Sequence, residues 1–102
     1  MEESFKKFLE TAREWDRTKT RTPGVFIRKM PGSKRKPPTL ALELNPPDSR
    51  GKPTKKSGCL IRNEEDLVFY RDTFPMENLD NIIKTLKKVN PSTDESDSKI
   101  DI

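Results

Sequence analysis

Residues Thr39 to Leu44 alternate without a break, with Leu40, Leu42 and Leu44 on one side of an extended chain and Thr39, Ala41 and Glu43 on the other. The spacing predicts a strand whose leucine side is buried under a second layer and whose other side faces solvent or ligand. Pro37 and Pro38 precede it, and Asn45, Pro46, Pro47 and Asp48 follow, so the strand cannot be longer. The rest of the chain must supply its neighbours. Val25 to Met30, set between Pro23-Gly24 and Pro31-Gly32, reads as a second strand with Val25, Ile27 and Lys29 on one face and Phe26, Arg28 and Met30 on the other. Gly58 to Arg62, apolar at Cys59, Leu60 and Ile61, suits a third.

Helices flank these strands. Phe5, Phe8, Leu9 and Ala12 repeat at the spacing of one helical face, which predicts a helix over residues 4 to 16 with Ser4 as N-cap and Trp15 near its far end. Asn63 followed by Glu64, Glu65 and Asp66 places acids where the positive end of a helix dipole favours them, which predicts a helix from 64 to 74 ended by Pro75. Leu67 to Tyr70 would also serve as a strand. Leu79, Ile82, Ile83, Leu86 and Val89 form the strongest helical stripe, closed by Asn90 and Pro91, and should pack on the leucine face or pair across a dimer. The expected fold class is α+β: a small antiparallel sheet of three to four strands with an N-terminal helix and C-terminal helices packed on one face. Residues 1–91 make one domain. Residues 92–102 hold four acids against Lys99 and read as a disordered acidic tail. With 29% hydrophobic residues in a chain of 102, the core is thin, and a homodimer is expected.

Charge is distributed unevenly. Between Arg17 and Arg62 stand thirteen Lys or Arg against Glu43 and Asp48, a local +11 in a chain whose total is +4. Such a concentration repels itself unless an anion answers it, which points to nucleic acid, although cationic loops also serve solubility. The chain has no His and one Cys, so neither a disulfide nor a Cys or His zinc site forms within it, and no cofactor is expected. No Gly-rich phosphate loop is present, and the contiguous Glu64, Glu65 and Asp66 are explained by a helix start, so an enzyme is not expected. The opening Glu2-Glu3 is no secretory signal and no apolar run matches a membrane span. The expectation is a cytoplasmic protein, and the Lys, Glu and loop Pro content has a thermophile's flavour.

Candidate binding residues follow. Trp15 is either a packing residue or a base-stacking platform beside the basic stretch. Phe26 either offers a stacking surface or points into the core, while Arg28 and Lys29 could reach phosphates. Lys34, Arg35 and Lys36 precede the leucine strand, and Arg50, Lys52, Lys55, Lys56 and Arg62 follow it. No helix-turn-helix pattern or basic recognition helix is present, so single-stranded nucleic acid fits better than a duplex major groove.

The run Thr39 to Asn45, then Asp48, Gly51, Lys52-Pro53, Lys55-Lys56, Gly58, Leu60 and the acidic start Asn63 to Asp66, resembles the transcriptional coactivator family called positive cofactor four. Ser57 stands between Lys56 and Gly58 where that family keeps Lys and Gly adjacent. The resemblance implies a dimeric antiparallel sheet holding single-stranded DNA, with Arg28, Lys29, Lys52, Lys55 and Lys56 as backbone contacts. The layout of helix, small sheet and helices is also similar to the archaeal ThermoDBP group of single-stranded DNA-binding proteins, which implies the same partner. The tail ending Ile100-Asp101-Ile102 is similar to the partner-recruiting tails of bacterial single-stranded DNA-binding proteins, which implies a protein partner. The expected function is sequence-independent binding of single-stranded DNA, with RNA possible as ligand; the alternative is a protein- or RNA-binding adaptor in transcription or translation.

Overall fold

A computed structural model of the chain describes residues 1–91, so the expected acidic tail lies outside the described residues. The elements are α1 (Glu2–Thr11), β1 (Arg17–Lys19), β2 (Val25–Met30), β3 (Thr39–Leu44), β4 (Cys59–Ile61), α2 (Glu64–Thr73) and α3 (Glu77–Val89). The strands form one antiparallel sheet in the order β1-β2-β3-β4. This is the expected α+β class, with a helix before the sheet and two after it. Two compact units divide the chain, residues 1–68 and the residues from 69 onward. Among the described residues no helix is long and apolar enough to cross a membrane.

Helix α1 starts and stops earlier than the apolar spacing predicts. Glu2 and Glu3 occupy its first turn and Met1 is the N-cap, while Ser4 donates its hydroxyl to the Met1 carbonyl at 2.8 Å instead of capping. The helix ends because the chain beyond Thr11 joins the sheet. Ala12 is extended, and its carbonyl accepts a hydrogen bond from Lys29 Nζ at 2.8 Å. The Trp15 N–H donates to the Lys29 carbonyl at 2.7 Å and the Lys29 N–H to the Asp16 carbonyl at 2.8 Å. That pairing continues into β1, a polar edge strand that hydrophobic periodicity does not reveal.

Register sorts the sheet residues onto two faces, because paired residues in an antiparallel ladder share a side. Ile27, Leu42 and Ile61 align on one face, with Val25, Leu44 and Cys59 beside them. On the other, Lys19, Phe26, Glu43 and Leu60 align, next to Arg17, Arg28 and Ala41. The burial of β3 reverses the expectation: Ala41 and Glu43 are 4% and 0% exposed, whereas Leu40, Leu42 and Leu44 are half-buried. The cause is not local. Residues 45–58, between β3 and β4, fold back over the Glu43 face, while on the leucine face Phe5 and Leu9 of α1 share an open cleft with Leu40. The covering segment is anchored at Gly58, whose N–H reaches the Glu43 carboxylate and where any Cβ would run into the Leu44 carbonyl oxygen. Only glycine allows that approach.

Residues 64–73 are helical, not extended. The Asn63 side chain accepts the Asp66 N–H at 2.8 Å, and the Asp66 carboxylate accepts the Arg62 N–H at 3.2 Å, a reciprocal start that a strand could not use. In the second unit the Tyr70 ring centroid lies 5.4 Å from that of Phe69 and 5.6 Å from that of Phe74. Helix α3 has no buried residue, and Ile82, Ile83, Leu86 and Val89 of its stripe are exposed.

Candidate nucleic-acid interface

The face that carries Glu43 is built around one carboxylate. Arg17 approaches it side-on, donating from Nε to Oε1 at 3.1 Å and from Nη2 to Oε2 at 3.3 Å. Arg28 Nη1 stands 3.5 Å from both oxygens. The Asn45 amide and the Gly58 N–H donate to Oε2 at 2.9 and 2.8 Å. Burial alone would raise the Glu43 pKa, but the hydrogen bonds from Asn45 and Gly58, then the charges of Arg17 and Arg28, outweigh it and hold the carboxyl below its ordinary value. Asn45 also clamps the covering segment, donating to the Lys55 carbonyl and accepting the Lys55 N–H. The Lys56 carbonyl accepts from Arg17 Nη2 at 2.7 Å and Arg28 Nη1 at 3.3 Å. Lys55 and Lys56 are thereby fixed across the sheet with both side chains exposed.

Trp15 sits at one end of this face. A turn closed by the Asp16 N–H on the Arg13 carbonyl puts Trp15 at φ 73°, a left-handed conformation that suits Gly or Asn. Arg28 Nε donates to the Trp15 carbonyl at 3.0 Å, and its guanidinium lies 5.4 Å from the indole centroid. The ring remains 48% exposed.

At the other end β1 runs into the Thr20 to Gly24 turn, and the tip of the covering segment comes back beside it. Asp48 shapes that tip by accepting the Arg50 and Lys52 N–H groups at 2.8 and 2.9 Å, with Gly51 at φ +80°. Those two backbone bonds, more than the nearby charges of Lys52 and Lys19, lower the Asp48 pKa.

The structure treats the candidate residues differently. Phe26 is 2% exposed, with the Arg17 guanidinium 5.9 Å from its centroid, so its ring belongs to the core and offers no stacking surface. Lys29 is buried and its ammonium is spent on the Ala12 carbonyl; Arg28 is spent on Glu43, Trp15 and Lys56. Lys34, Arg35 and Lys36 are exposed in the β2–β3 connection, at the Trp15 end of the sheet, where the Ser33 hydroxyl accepts the Arg35 and Lys36 N–H groups. Arg50, Lys52, Lys55 and Lys56 are exposed along the covering segment. Arg62 lies apart, beside a cleft on the leucine face that Leu40, Ile61 and Asn63 also line. The candidate set omitted Lys19 and Arg21, which the β1–β2 turn brings next to Arg50. Their signal was the alternation of Arg17, Lys19 and Arg21 with three threonines, the period of a polar edge strand.

No known protein family, curated protein or solved structure matches this chain.

Proposed function

We propose that the chain is a non-catalytic module that binds single-stranded nucleic acid, with DNA as the expected ligand, along the covered sheet face. The observation that carries this reading is Trp15: exposed, backed by Arg28 and held at positive φ. From there Lys55 and Lys56 lead over the sheet to Lys19 and Arg50, while Lys34 to Lys36 flank the Trp15 end. A stacking residue followed by a cationic track is what a strand with free base faces requires. Among the described residues none of these lysines, nor Arg35 or Arg50, forms an ion pair, and only Lys19 is partly answered by an acid, Asp48, so the track keeps a large excess of positive charge for phosphates. The exposed stripe of α3 supports self-association, and the chain is read as a homodimer. The resemblance to the positive cofactor four and ThermoDBP groups points to the same partner.

The test is a fluorescence-anisotropy titration with labelled oligo-dT, competed by duplex, by RNA and by an acidic peptide of matched charge. Tight binding that duplex and peptide displace poorly supports the reading. Equal displacement by the acidic peptide would favour an adaptor that meets an acidic protein, and no binding at low salt would overturn the proposal.

A further inference from the structure

The β1–β2 turn and the tip of the covering segment enclose a cleft of about 190 Å³, lined by residues 19–26 together with Arg50 and Gly51. Three basic residues from separate places in the chain line it: Lys19 at the end of β1, Arg21 in the turn, and Arg50 on the tip. The Lys19 ammonium lies against the tip, 3.8 Å from where a Cβ on Gly51 would stand. Among the described residues none of the three forms an ion pair. Asp48 on the tip accepts the Arg50 and Lys52 N–H groups at one oxygen, and its charge offsets part of that of Lys19, leaving the two arginines to carry the excess. Arg21 and Gly24 also line the cleft, and their N–H groups make no hydrogen bond among the described residues.

We infer that this cleft, built by Lys19, Arg21 and Arg50, binds the terminal phosphate monoester of a nucleic-acid strand. An internal phosphodiester brings one negative charge and is met well enough by single lysines of the kind found along the rest of the track. A phosphate monoester brings a charge of about −1.5 to −2 at neutral pH and three strong acceptor oxygens, which match three basic residues lining one small cleft. Placement agrees. Lys19 pairs with Phe26 and Trp15 bonds to Lys29, three residues further along β2 and so about 10 Å away at a rise of roughly 3.3 Å per residue, with the Trp15 ring against Arg28 of the covered face and Lys55 and Lys56 between them. A strand stacked on Trp15 and laid over the lysines therefore ends at the cleft. The inference rests on the single-stranded reading given above and adds a polarity to it: the protein holds strand ends.

The experiment compares oligo-dT carrying a 5′-phosphate, a 3′-phosphate or neither, binding to the full chain and to Arg21→Ala and Arg50→Ala, each checked for folding by circular dichroism. Inorganic phosphate is titrated separately while the Gly24 and Gly51 amides are followed by NMR. One phosphorylated end is expected to bind on the order of tenfold more tightly, about what one charge-assisted hydrogen bond contributes. Arg21→Ala should lose that difference while keeping the affinity for the unphosphorylated strand, whereas Arg50→Ala, which also removes a charge from the track, should lose the difference and weaken all three strands; an Arg21→Ala protein that keeps the difference overturns the cleft assignment. Equal affinity of the wild-type protein for all three strands overturns the cleft assignment and leaves the single-stranded reading intact. If no strand binds, the functional reading fails. In that case, phosphate shifts confined to the cleft amides support a site for a free phosphate group, and their absence overturns the cleft as well.

Discussion

Replacing Glu43 by Gln removes one charge from the sheet face while keeping the side chain's shape. Glu43 is fully buried, and the side chains of its partners Arg17 and Arg28 are 22% and 11% exposed. Removing one partner of a buried ion pair costs about 3–5 kcal/mol. Both arginines keep some access to water and to the Lys56 carbonyl, so the low end applies, about 3 kcal/mol. For a domain of this size, each kcal/mol lowers the midpoint temperature by roughly 4–8 °C, so a fall of roughly 12–24 °C is expected. Urea denaturation at pH 7, followed through Trp15 fluorescence and helical circular dichroism, measures the difference directly. Its pH dependence identifies the cause. The folded-state pKa of Glu43 is depressed, so its contribution is complete above the unfolded glutamate value, about 4.3, and disappears as pH falls through the folded value. The gap between wild type and Glu43→Gln should therefore close in acid. An unchanged midpoint at pH 7, or a gap of constant size down to strongly acidic pH, would refute the argument that one ionised carboxylate holds this face together.

Other variants separate binding from folding. Trp15→Gly relieves the positive φ and removes the ring; thermal melts should show little loss of stability, while oligo-dT affinity falls by the about 1–3 kcal/mol that base stacking provides. Alanine at Lys34, Arg35 and Lys36 together should leave the fold intact and flatten the log-log salt dependence of binding by about 2 if all three meet phosphates, at roughly 0.7 per contact for single strands. Gly58→Ala should weaken stability in urea by more than about 1 kcal/mol, because the β4 entrance must move off the Leu44 carbonyl and lengthen its bond to Glu43. Lys29→Met keeps length and loses the ammonium. Hydrogen exchange should then quicken in α1, whose end it ties to β2.

The strands β2 and β3 and helix α3 were legible because their apolar periods are local and uninterrupted. Which side of β3 is covered was not. The leucines argue for one answer, and Glu43 reverses it by recruiting Arg17, 26 residues earlier, and Gly58, 15 residues later. A lone acid within a basic stretch was the available clue, and its meaning depends on contacts that no window of the sequence contains. β1 escaped notice since a three-residue polar edge strand has no hydrophobic signal. The loop lysines were legible as exposed charge, whereas Phe26, Arg28 and Lys29 look the same in sequence and are consumed internally. Trp15 was found as an aromatic near cations; its backbone strain has no sequence signature.

The covering segment is clamped at Asn45, Lys55, Lys56 and Gly58 before any ligand arrives. Binding proteins whose loops order only on contact lose affinity to the entropy of that ordering, and association slows while the conformation is found. Here the lysines ride on a backbone that is already fixed. Association should therefore be governed by electrostatic steering, fast at low salt and steeply slowed by added salt, with discrimination among ligands residing almost entirely in how quickly they leave.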